Sequence, residues 1–306
     1  MRVRVLGSAA GGGFPQWNCG CANCAGVRAG TVRARARTQE SVAISADGTR
    51  WFLLNASPEI RSQVEAFDGL HPQRPRHSPI EGILLTNGDL DHCLGLLSLR
   101  ESHPLVVYAT RSVDEGFTRD NALYRTLQRF DGQLTWRHVV LDVPFDLMTR
   151  TGERTGLTAR AWGVAGKLPV HLEGLRSASP EDNVGLEIRE EATGATLVYL
   201  ASVGQVRDRD LEASRRASCL FFDGTFWSSD ELRAIDPNAP RAEQMAHLPI
   251  GGPDGSLARL RELPPGRRFF IHVNNSNPVL REDSPEHAGV REAGWEVAWD
   301  GMELTL

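Results

Sequence analysis

Lysine is almost missing from this 306-residue chain: of its 34 basic residues only Lys167 is a lysine. Arginine and lysine differ mainly at bidentate sites, so the bias reads as genome composition rather than a device. Positive charge is not in excess either. The 39 acidic residues leave a formal charge of −5, which argues against a protein held on nucleic acid by a general basic field. Long apolar runs are also missing, and the stretch Thr196–Ser202 is far too short to span a bilayer. Met1-Arg2-Val3-Arg4-Val5-Leu6 alternates as a strand does and lacks the apolar core of a secretory signal. Cysteine is scarce and odd in number: five in all, with three crowded into Cys19-Gly-Cys21-Ala-Asn-Cys24. Cysteines this close rarely bridge one another, and a thiol cluster in a chain without an address points to metal. These absences predict a cytoplasmic protein with no nucleic-acid partner and no membrane insertion.

What is present is a regular alternation. A dozen short strand candidates, from Val3–Gly7 to Trp295–Trp299, are rich in Val, Ile, Leu and aromatics and end at Gly, Pro, Asn or Asp. Between them lie helix candidates at Pro58–Phe67, His92–Ser102, Val113–Phe130, Arg209–Ala217, Ser256–Leu263 and Glu286–Glu292. Ser112-Val-Asp-Glu115 has the spacing of a capping box. The length permits two domains, yet no linker separates independent halves. The pattern predicts an α/β chain with two β-sheets and helices on their outer faces, folded over residues 1–306 as one domain.

Three features carry chemistry. The C-x-C-x-x-C run puts three thiolates within reach of one tetrahedral ion in a Gly/Asn-rich loop, a closed structural zinc site whose fourth ligand lies elsewhere. The plainer alternative is three free thiols. Cys93 and Cys219, in a helix and a strand, read as small core residues. Second, the apolar strand before Thr86-Asn87-Gly88-Asp89-Leu90-Asp91-His92 runs into a loop and then a helix, an arrangement that holds ligands rigidly at a sheet edge. Its alternative is that Asp89 or Asp91 only caps the following helix. Third, the strand Arg268–Val273 carries His272 at its end, before Asn274-Asn-Ser-Asn-Pro278. A lone histidine there is more often structural. Asp223 and His247 complete the polar groups at strand ends and loops.

Together these residues resemble the metallo-β-lactamase superfamily, over essentially the whole chain. The resemblance implies the four-layer αβ/βα sandwich. It also implies a loop reading H-x-H-x-D-H that serves two adjacent metals. Here the matching positions are Asn87, Asp89, Asp91 and His92, so both leading histidines are missing. Ser179–Asn183 and Ser202-Val203 replace a further histidine and the bridging aspartate of that fold. Every histidine of the first metal position is gone, while Asp91, His92 and His272 of the second remain. Two histidines and one carboxylate form the facial triad of non-haem Fe(II) sites, and a dinuclear clamp is out of reach.

Gly11-Gly-Gly-Phe-Pro-Gln-Trp-Asn-Cys-Gly-Cys-Ala-Asn-Cys24, Asp223-Gly-Thr-Phe-Trp227, Met245-Ala-His-Leu-Pro-Ile250 and His272-Val-Asn-Asn-Ser-Asn-Pro278 are similar to the B proteins of pyrroloquinoline quinone (PQQ) biosynthesis, a family of that superfamily. That likeness implies hydroxylation of the tyrosine ring of a Glu/Tyr-derived precursor, using Fe²⁺ held by Asp91, His92 and His272, with Zn²⁺ or Mn²⁺ as alternatives. The expected partner is a small acidic molecule, either a diglutamyl-tyrosine-type peptide or PQQ, and a homodimer is compatible with it. His247 occupies the place of a catalytic acid, and Asp223 would orient a ligand histidine. Phosphodiesterase relatives close the cysteine zinc site with a histidine three residues after the last metal histidine; Asn275 stands there in this chain. The same likeness leaves two other functions open, a carrier of PQQ to the periplasm and a single-zinc hydrolase.

Overall fold

Sheets covered on both faces need strands that are apolar at nearly every position, and the central strands here meet that demand. The computed structural model describes residues 1–119, 121–264 and 266–306. Asp120, inside the expected helix Val113–Phe130, lies outside the described residues. The strands are β1 (Arg2–Gly7), β2 (Ser41–Ser45), β3 (Trp51–Leu54), β4 (Ile80–Leu84), β5 (Leu105–Ala109), β6 (Leu134–His138), β7 (Phe145–Met148), β8 (Arg154–Gly163), β9 (Val184–Glu190), β10 (Thr196–Leu200), β11 (Cys219–Asp223), β12 (Arg267–Ile271), β13 (Glu296–Val297) and β14 (Glu303–Thr305). They form two seven-stranded sheets, ordered β14-β1-β2-β3-β4-β5-β6 and β13-β12-β11-β10-β9-β8-β7. Both are mixed: β3 to β6 run parallel, as do β10 to β13, and the remaining pairs are antiparallel.

Alternation along each strand sorts the side chains into layers. Phe52, Leu54, Val106 and Tyr108 of one sheet meet Leu197, Tyr199, Phe221 and Phe269 of the other in the central core. Their neighbours Trp51, Leu53, Val107 and Ala109 turn outward to Ile60, Leu96 and Val113 of the covering helices. On the far face, Val198, Leu200, Phe222 and Phe270 pack against Ala213, Leu260 and Val290. Each fully buried side chain of this size contributes about 1.5–3 kcal/mol. The result is the four-layer αβ/βα sandwich expected from the sequence. The sequence reading missed two antiparallel strands, β7 and β14; both are short, and β14 lies at a sheet edge.

The helices are α1 (Ala22–Ala29), α2 (Ile60–Glu65), α3 (Leu90–Cys93), α4 (Gly95–Ser98), α5 (Arg111–Thr118), α6 (Asp208–Arg216), α7 (Ser256–Arg259) and α8 (Pro285–Glu292). Several expectations need correction here. The expected capping box is not formed: Ser112 lies inside α5, and Thr110 is the cap, accepting from the Val113 N–H at 3.3 Å. That helix also stops at Thr118 instead of Phe130. Asn121 accepts from the Leu123 N–H at 3.1 Å and starts a separate 3₁₀ segment, Ala122–Leu127. The expected helix His92–Ser102 is two short helices, where Gly95 packs so tightly that a β-carbon would lie 2.3 Å from the Ser57 carbonyl.

Candidate metal centre

The parallel strands β4, β11 and β12 end at one edge, where layered α/β proteins place their sites. After β4, Asp91 and His92 fall on α3. The cap alternative does not hold for the side chains: Asp89 occupies the cap position without a side-chain hydrogen bond, its carbonyl accepting from His92 and Cys93. Asp91 instead faces across the sandwich. Its Oδ2 lies 3.1 Å from His272 Nε2 and 3.8 Å from His92 Nε2. Gly11 leaves room for it, since a β-carbon there would come within 3.3 Å of the same oxygen.

His272 reaches this point through its backbone. Expected to lie within a strand to Val273, it follows the end of β12 and adopts φ 59°, a strained left-handed conformation for a side-chain-bearing residue. Its Nδ1 lies 2.8 Å from Thr225 Oγ1, which donates to Asp223 Oδ1 at 2.6 Å. The Thr225 proton is thereby committed, so His272 Nδ1 is the donor and Nε2 points to Asp91.

The same logic fixes His92. Thr86 Oγ1 donates to Asn55 Oδ1 at 3.0 Å and lies 3.3 Å from His92 Nδ1, which therefore donates to it. His92 Nε2 is then left with a lone pair, buried and without a hydrogen-bond partner among the described residues. Burial pushes the His92 pKa down to about 4 against the pull of Asp91, keeping the imidazole neutral. An orphaned, neutral imidazole nitrogen beside a carboxylate is what a divalent ion requires. Burial also opposes charge on Asp91, but His92 and His272 hold its carboxyl well below the usual range. Burial opposes charge on His272 too, yet Asp91, Asp223 and Glu40 raise its pKa to about 9. A metal bound at Nε2 displaces that proton.

Asp223 and His247 form the opposite wall. Asp223 is fully buried; it accepts from the Val203 and Thr225 N–H groups at 2.8 and 2.9 Å and from His247 Nδ1 at 2.7 Å. Asp223, His247 and His272 also cluster closely enough for an ion. Asp223 is already saturated by donors, so the orphaned nitrogen favours the Asp91, His92, His272 set.

Four contributors escaped the sequence reading: Glu40, Asn55, Thr86 and Thr225. Glu40 is fully buried, and burial raises its pKa to about 8. Asn55 donates to Glu40 Oε2 at 2.9 Å, and that oxygen lies 3.5 Å from His92 Nε2. Nothing in Arg37-Thr-Gln-Glu-Ser41 marks Glu40 beforehand. Where the superfamily has its first metal position, Asn87 is bridged through its backbone to Asn183, whose amide donates to the Lys167 carbonyl at 2.7 Å.

The three clustered cysteines also meet, their Sγ atoms within 4.8 Å of one another and none in a disulfide. The expected loop is partly helix: Cys21 caps α1 and Cys24 is buried in its first turn. Asn275 Nδ2 lies 3.2, 3.7 and 3.3 Å from the sulfurs of Cys19, Cys21 and Cys24. As placed, Asn275 donates to the sulfurs; turned over about its Cβ–Cγ bond it would present Oδ1 to the same point. Burial raises the Cys24 thiol to about 11, while Cys21 is lowered against burial by hydrogen bonds from Cys24 and Cys19.

Fold and site together define a metallo-β-lactamase-fold protein, and a model of the β-lactamase superfamily domain matches residues 50–273. Coenzyme PQQ synthesis protein B of Ectopseudomonas mendocina (strain ymp) is 45% identical over 308 residues, covering all of both chains. The same protein of Stutzerimonas stutzeri is 44% identical, again covering all of both chains. The crystal structure of Zn²⁺-bound PqqB from Methylobacterium extorquens superposes with a TM-score of 0.92 at 41% identity, covering all of both chains. The chain belongs to the coenzyme PQQ synthesis protein B family of this superfamily. No helix among the described residues is long and apolar enough to cross a membrane.

Proposed function

We propose that this chain acts in PQQ synthesis by hydroxylating the tyrosine ring of a small Glu/Tyr-derived precursor, with one Fe²⁺ held by Asp91, His92 and His272. The observation that carries this reading is the buried, unpartnered Nε2 of His92 facing Asp91, in a chain that resembles the superfamily but has no histidine at its first metal position. Two histidines and a carboxylate suit non-haem iron and leave positions open. Bound iron supplies the redox chemistry with O₂. The chain's own residues do the rest: Thr86 and Thr225 fix the two ligand imidazoles, and Asn55 ties Thr86 to Glu40. Asp223 accepts a hydrogen bond from the Nδ1–H of His247, leaving Nε2 to accept or donate a proton. Cys19, Cys21 and Cys24, with Asn275, hold a structural Zn²⁺ that secures the loop beside the centre.

The test is anaerobic reconstitution with Fe²⁺, followed by diglutamyl-tyrosine and O₂, with mass spectrometry of the product. Hydroxylated tyrosine from the wild type and none from Asp91→Ala is the expected result. No hydroxylated product, with Asp91→Ala still binding iron as the wild type does, would overturn it. The Zn²⁺ in the Methylobacterium structure supports a second reading, hydrolysis by water on a single zinc. Retention of activity by zinc-loaded, iron-free protein would select it.

A further inference from the structure

A second cavity, of about 570 Å³, opens beside β13 and α8 and shares no lining residue with the metal-centre set. That volume suits a small ligand. The segment Arg33-Ala-Arg35-Ala-Arg37 presents its three arginines to it at a spacing of two, and Arg291 of α8 adds a fourth. Against these four guanidiniums stand only Glu282 and Glu296. Glu282 already pairs with Arg35 at 3.1 Å. Arg33 and Arg291 form no ion pair among the described residues.

Arg37 is the informative member. It is only 7% exposed, it donates to Ser8 Oγ at 3.2 Å and to the Ala298 carbonyl, and its Nε has no partner. Among the described residues no carboxylate lies within ion-pair distance. Its nearest compensating carboxylate, Asp300, is held off by Ser8, whose Oγ accepts from Arg37 and donates to Asp300 Oδ1 at 2.7 Å. A buried guanidinium with no direct ion pair still gains from a charged group that completes it. Burial lowers its pKa only to about 10, so it remains a cation at neutral pH. Beside it, the Arg35 guanidinium lies over the Trp299 ring, 5.5 Å from its centroid, so this stacked pair lines the cavity.

We propose that this cavity is a second binding site, separate from the metal centre, for a small planar polycarboxylate. Its carboxylates pair in bidentate fashion with Arg37, Arg33 and Arg291, and its flat body lies against the Arg35–Trp299 pair.

The probe is benzene-1,2,4-tricarboxylate, titrated into the full-length, metal-loaded protein at low salt by calorimetry and tryptophan fluorescence. Saturable one-to-one binding is expected. Arg291→Glu and Arg33→Glu, both at exposed positions, weaken it tenfold or more, and Arg37→Met abolishes it. Circular dichroism of the exposed variants stays as in wild type, so loss of binding there is not loss of fold. Asp91→Ala leaves the affinity unchanged because the metal centre takes no part. The proposal is overturned by no saturable binding at millimolar probe, by binding that survives Arg291→Glu and Arg37→Met, or by binding lost in Asp91→Ala. Inorganic phosphate binding as tightly as the tricarboxylate also overturns it.

Discussion

The ring of His247 stacks on that of His272, centroids 5.4 Å apart and planes 24° from parallel. The two are also joined through Thr225, whose Oγ1 lies within 3.0 Å of both Nδ1 atoms. The proposed ligand imidazole of His272 and the imidazole of His247 therefore share one support, with Asp223 hydrogen-bonded to both Thr225 and His247.

Because Asp223 fixes which nitrogen of His247 carries the proton, Asp223→Asn and His247→Gln should fail together. Each is expected to lower kcat by about 100-fold or more, the usual range for losing a positioned acid or base. The double variant should be little worse than either, as residues acting as a unit are not additive. Steady-state kinetics with iron content measured in parallel tests this; full iron with lost turnover is the expected signature.

Metal counting separates the two clusters. Wild-type protein reconstituted with Fe²⁺ and Zn²⁺ should carry two ions per chain. His92→Ala or Asp91→Ala loses one, and Cys24→Ser loses the other. Elemental analysis reads both, and a variant of one cluster that empties the other would refute their independence.

Loss of the cysteine-bound ion should also be felt as stability, since Asn275 and His272 leave the same strand and the sulfurs surround the Asn275 amide. Cys24→Ser is expected to lower Tm by ~5–10 °C, which for a chain of this size corresponds to a few kcal/mol. Calorimetry of the variant against chelator-treated wild type checks it: the two melting temperatures should coincide.

Much of this was readable in the residues and some was not. The apolar strands, the Asp91-His92 step at a strand end and the cysteine spacing are local patterns, so the layers and the ligand candidates could be placed from order alone. Glu40 and Asn55 could not, because their role comes from burial beside residues on other strands and loops: Asn55 bonds Glu40 and Thr86, and Glu40 lies 3.5 Å from His92. Helix ends failed for the same reason: Ser112 has the right spacing for a cap, but its hydroxyl bonds to Asp182, 70 residues on, at 2.6 Å. The arginine ladder at Arg33, Arg35 and Arg37 looked like composition until the fold left Arg37 buried with no direct ion pair, Asp300 reaching it only through Ser8.

That long-range contact has a pH signature. Asp182 accepts from Ser112, from Arg176 at 2.5 Å and from the Ser179 N–H at 2.6 Å. Burial works to raise its pKa, but these donors outweigh it and hold the carboxyl below its ordinary 3.8. A depressed carboxyl stabilises the fold fully above that ordinary value and loses the contribution as pH falls through the folded one. Arg176→Ala should therefore cost about 1–3 kcal/mol at pH 7. Its deficit against wild type should narrow in acid, below pH 3.8. Urea midpoints of both proteins at neutral and acidic pH measure the gap. A gap that stays constant across that window would show that Arg176 acts by packing and not through the Asp182 charge.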